Sequence, residues 1–142
     1  MKLARAIIHG FALAVITICA VVVGFVVYKM VGLKDQIAVQ VLVAGLVCVG
    51  AFAVWGFLAH RVTSGQLSLG DLKELGIAYA AAFLWTPVLF IPLHYTTQGY
   101  LTSVGNVLSV WLFQVPFNLL ALMVANGTLL QDAVGDREDK TQ

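Results

Sequence analysis

From Arg5 to Lys29 the chain runs through AIIHGFALAVITICAVVVGFVVY, 23 residues without a charged side chain. As a helix this run reaches about 34 Å, enough to cross a hydrocarbon core of about 30 Å. A charge at the bilayer centre costs roughly 2.5–3.5 kcal/mol even on the lenient insertion scale, so charge-free runs mark where a chain can sit in lipid. A second run of 25 residues lies between Asp35 and Arg61, behind a short polar link, and therefore returns antiparallel to the first. From Leu75 to Gln131 there are 57 residues with no charge, too many for one crossing. The polar, glycine-containing stretch His94–Asn106 supplies the turn, because its backbone can be satisfied in interfacial water.

This division predicts an all-α integral membrane protein: a single domain of four transmembrane helices spanning about 6–28, 37–59, 75–93 and 107–125, with a short polar tail at 131–142. The helices form two antiparallel hairpins. Composition agrees, with 61% hydrophobic and 11% charged residues against about 25% charged in soluble domains. A net charge of +1 provides no field for nucleic acid. Lys2, Arg5, Arg61, Lys73, Arg137 and Lys140 fall on one side and only Lys29 and Lys34 on the other, so the positive-inside rule places both termini in the cytoplasm of a bacterial-type inner or plasma membrane. Ile18-Cys19-Ala20 is a poor cleavage site, and the first run is read as an uncleaved anchor.

Within the spans, small residues four apart, Ala20 with Gly24 and Ala44 with Cys48, let helix backbones approach closely. A Ser68-Leu-Gly-Asp71 signal starts the third helix, with Ser68 as its cap. Pro87, Pro92 and Pro116 each remove an N–H and disturb the carbonyl four residues earlier, those of Phe83, Val88 and Leu112. Thr86 and Gln114 are the nearest groups to meet a freed carbonyl. Gln114 and Asn118 share one face of the fourth helix. With Thr86 they read as interhelical contacts or as a polar path. Trp85, at mid-membrane, fills a gap between helices.

Candidate chemistry is sparse. His9 and His60 both approach the inner boundary, and a bis-histidine haem b site is the one cofactor reading they admit. No metal-ligand cluster is apparent: Cys19 and Cys48 lie inside apolar runs rather than at zinc or iron–sulfur spacing. Asp71, Lys73 and Glu74, with Arg61 nearby, read as a solvated loop or a small contact patch. Catalytic signatures such as H-E-x-x-H, G-x-S-x-G and the phosphate-binding glycine loop are absent from the sequence, which points away from an enzyme. The chain is similar to small multidrug-resistance exporters in length and span number only. The membrane-embedded glutamate of their first helix has no counterpart between Ala6 and Tyr28.

The expectation is a non-catalytic accessory subunit or assembly factor of a larger membrane complex, whose partners are the bilayer and other integral membrane proteins. The alternatives are a small homo-oligomeric transporter or channel component, and a haem b anchor.

Overall fold

The computed structural model describes residues 2–32, 36–67 and 69–141, with side chains through residue 125. It contains four helices: α1 (Lys2–Val31), α2 (Ile37–Thr63), α3 (Leu72–Gln98) and α4 (Val104–Thr141). Each contains a stretch long and apolar enough to cross a membrane. Large side chains such as Leu46, Leu84 and Leu112 remain exposed on their outer faces, as lipid-facing residues of an apolar bundle should.

The helices outrun the charge-free stretches, and their ends show why. Asp71 caps α3: its backbone is extended and its Oδ1 accepts from Glu74 N at 2.8 Å. Ser68 itself lies outside the described residues. His94–Asn106, read from sequence as a connector, is helical at both ends, and the true connector is 99–103. No glycine or proline interrupts His94–Gln98, and Thr96 and Thr97 both direct their hydroxyls to Leu93 O at 2.9 Å. The helix stops at Gly99, which takes φ 78° and returns its N–H to Tyr95 O. At the far end, α4 continues through the polar tail to Thr141.

Around the bundle the order is α1, α2, α4, α3. α1 touches both α2 and α3, α4 touches the same two, and no contact joins α2 to α3 among the described residues. Sequence neighbours α2 and α3 therefore occupy opposite corners. Across α1 and α3 the paired residues rise together, Arg5 with Glu74 and Phe11 with Trp85. Across α1 and α2 they run oppositely, His9 with Trp55 and Gly24 with Ala44. One end of the bundle thus holds the starts of α1 and α3, the finish of α2 and the segment between α2 and α3; the other holds the α1–α2 and α3–α4 connectors. These are called the terminal end and the connector end.

Glycine makes the close crossings possible. A Cβ on Gly10 would lie 2.6 Å from Ala81 Cβ and 2.7 Å from Ala78 O, and one on Gly24 would lie 2.9 Å from Ala44 Cβ. At Gly45 the ring of Phe117 fills the space a side chain would need. Ala20, Ala44 and Cys48 are all buried, so the small-residue faces noted in the sequence are used within the chain. The apolar core, including Ala6, Leu13, Phe52, Ala78, Ala82 and Leu122, lies toward the terminal end. The buried residues of α3 are Glu74, Ala78, Ala81, Ala82 and Thr86, all before Pro87.

Candidate functional site

Gln114 and Asn118, one turn apart on α4, are both 0% exposed and face into the bundle. Gln114 Nε2 donates to Thr86 Oγ1 at 2.7 Å, and that hydroxyl donates to Ala82 O at 2.7 Å. Asn118 Oδ1 lies 3.0 Å from Thr17 Oγ1, whose single proton is also within 2.7 Å reach of Leu13 O. Cys48 Sγ completes the layer at 3.7 Å from Thr17 Oγ1. Every helix contributes, so this is one uncharged polar layer across the middle of the bundle. Two of its buried atoms have no partner among the described residues, the acceptor Gln114 Oε1 and the donor Asn118 Nδ2.

Thr17 was missed in the sequence, although it is the sole hydroxyl residue between Arg5 and Tyr28. A lone hydroxyl in an otherwise apolar run was the available signal.

The carbonyl released by Pro87 is met differently from expectation. Trp111 Nε1 donates to Phe83 O at 3.1 Å, whereas Thr86 and Gln114 are committed to each other. A partly buried indole N–H needs an acceptor, and a proline-freed carbonyl is one. One turn further along α4, Tyr79 OH donates to Val115 O at 2.9 Å. Trp85 meets Phe11 edge to face at 5.2 Å, a contact between α3 and α1.

At the terminal end a second polar assembly ties α1 to the segment before α3. Arg5 Nη2 lies 3.0 Å from Glu74 Oε1, with the Glu74 side chain only 3% exposed. Gly70 N donates to Glu74 Oε2 at 3.0 Å, and Arg5 Nη1 donates to Gln66 O at 3.3 Å. Glu74 is therefore a buried ion-pair partner, not part of a solvated loop. Arg61 lies elsewhere, over the Phe57 ring at 5.4 Å. Outside the span, Lys2 approaches Asp71 at 3.6 Å. The Glu74 backbone N–H, aided by Lys2, holds the Asp71 carboxyl below its ordinary value.

His9 belongs to this assembly. Trp55 Nε1 donates to His9 Nδ1 at 3.1 Å, which leaves the proton on Nε2, bonded to Leu67 O. Both ring nitrogens are thus engaged, while His60 is exposed on α2. A haem held between His9 and His60 would have to displace Trp55 and Leu67. Among the described residues there is no group of three or more His, Cys, Asp or Glu that could hold a metal ion.

Fold and site together define a class: an all-helical protein with four candidate membrane spans, joined by an uncharged polar layer and a clasped end. Beyond that class, comparison with protein-family models, with curated proteins and with solved structures finds no match.

Proposed function

We propose that this protein is a non-catalytic polytopic subunit, serving a structural or accessory role in a larger membrane complex. It would sit as two antiparallel hairpins in an inner or plasma membrane, with the terminal end facing the cytoplasm. The observation that carries the reading is the use of the polar layer. Thr86 with Gln114, and Thr17 with Asn118, hold the helices together in fully buried positions, and among the described residues no charged side chain joins them. Such interhelical contacts average about 0.6 kcal/mol each in measured membrane proteins and favour a fixed arrangement. The Lys/Arg bias toward the terminal end supports the orientation.

Purification from the native membrane in a mild detergent tests this through native mass and an absorption spectrum of one sample. The expected result is a complex with larger membrane proteins in fixed stoichiometry. A colourless, partner-free monomer or homodimer overturns it.

One observation favours a second reading, a small homo-oligomeric transporter or channel component. Gln114 Oε1 and Asn118 Nδ2, buried without partners, are an acceptor and a donor that a passing polar solute or water file could use. With Cys19 and Cys48 replaced, Gln114→Cys should then react with a membrane-impermeant thiol reagent. Complete protection in every state removes this reading.

A further inference from the structure

Beyond the polar layer, toward the connector end, α1, α3 and α4 stand apart around a cavity of about 690 Å³. Part of its lining is apolar: Ile18, Val22 and Phe25 of α1, Phe90 of α3 and Val110 of α4. The polar part of the lining, its rim, carries Gln40 of α2 with His94, Thr97, Gln98 and Asn106. Phe90 and Val110 lie one turn from Thr86 and Gln114, so the cavity begins where the α3–α4 hydrogen bonds end. The α1 and α3 stretches that line it give a depth of about 10–12 Å along the helices. Size and lining match small-molecule sites between helices, which are mostly apolar with a few placed polar groups.

The lining also restricts the occupant. Among the described residues the lining contains no Asp, Glu, Lys or Arg, and Lys29, the cation beside it, lies over the Phe25 ring at 4.6 Å, so the polar groups a head meets in the lining are uncharged. His94 Nδ1 faces Tyr100 O at 3.2 Å, which puts the ring proton on Nδ1 and makes Nε2 an acceptor. Thr97 directs its proton to Leu93 O, so its oxygen too is left to accept. Gln98 and Asn106 add amide donors and acceptors. A head group that brings its own hydroxyl protons complements this rim, and an apolar tail complements the wall.

We propose that this cavity binds a neutral, hydroxyl-headed lipid from the bilayer, of the monoacylglycerol kind. The head lies among His94, Thr97, Gln98 and Asn106, and the upper part of the tail lies against Ile18, Phe25 and Phe90. The rest of the tail extends into the surrounding lipid.

The test uses the full chain in phosphatidylcholine nanodiscs with a monoacylglycerol carrying a photoactivatable diazirine in its upper tail. Labelled residues are mapped by mass spectrometry. Label should concentrate in 18–25 and 90–98 and be competed by unlabelled monoolein, but not by lysophosphatidylglycerol, whose single tail bears a charged head. Val22→Trp, which narrows the cavity, should reduce labelling about tenfold with an unchanged elution profile. The double change His94→Ala with Asn106→Ala leaves the space open but removes rim contacts, and should also weaken competition by monoolein about tenfold. If Val22→Trp fails to fold, the rim variant decides. Label spread evenly over lipid-facing Leu46, Leu84 and Leu112, equal competition by the charged lipid, or an unaffected rim variant overturns the proposal.

Discussion

The two ends of this bundle are built on different principles. At the terminal end, backbones cross on Gly10, a buried carboxylate is paired with Arg5, and His9 is bonded through both ring nitrogens. Toward the connector end, α3 contributes no buried residue after Thr86, and cavities of about 190 and 690 Å³ open between the helices. Hydropathy hardly distinguishes the two. The difference teaches that an apolar helix becomes a tight or a loose wall according to the size of its side chains and where its polar atoms find partners.

The largest effect should come from separating the ion pair. Arg5→Ala leaves Glu74 buried without its cation and is expected to cost about 3–5 kcal/mol, read as a lower unfolding temperature in detergent. A change within about 0.5 kcal/mol would show that the clasp does not hold the terminal end.

Next comes a matched pair on the two halves. Leu13→Ala removes a fully buried side chain and should cost about 2–5 kcal/mol, whereas Leu93→Ala, at a site 43% exposed on the cavity wall, should cost less than about 1 kcal/mol. Equal losses would break the contrast. Overpacking sharpens the same point: Gly10→Val should cost about 1–3 kcal/mol or more by forcing α1 from α3, while Gly50→Ala, with nothing within 4 Å, should gain several tenths.

In the polar layer, Thr86→Val strands the Gln114 amide and should cost about 1–3 kcal/mol. Trp111→Phe removes the donor to Phe83 O and should cost about 1–2 kcal/mol, with faster amide exchange around Pro87 as its signature.

The smallest effect concerns pH. Because the Asp71 carboxyl titrates below its unfolded value, its contribution to stability is fully present above that value and is lost as pH falls through the lower, folded one. Asp71→Asn should flatten the acid limb of a stability-against-pH curve below the ordinary aspartate range. An unchanged limb would remove Asp71 from the clasp.

The existence of four helices was readable because charge is excluded from lipid wherever neighbouring helices lie. Their ends were less readable. Hydropathy stops at Leu93, but the backbone of α3 continues until Gly99 because hydrogen bonding, not polarity, terminates a helix. Gln114 and Asn118 stood out as amides in an apolar run. Trp111, by contrast, carries no signal in the sequence that marks it for a partner. Its partner is the carbonyl of Phe83, and only the register between α3 and α4 brings the two together.

Sequence alone, then, determined the number and extent of the apolar segments, the small-residue positions and the polar residues that would need partners, since each follows from the cost of placing a group in hydrocarbon. Tertiary structure decided the lateral order. It set α3 beside α1 rather than beside α2, buried Glu74 against Arg5, and left a cavity beyond Thr86. Helices that are apolar on every side carry no stripe to say which face meets which neighbour. That choice rests on the close fit of glycine against alanine and on a few hydrogen bonds formed after the helices exist.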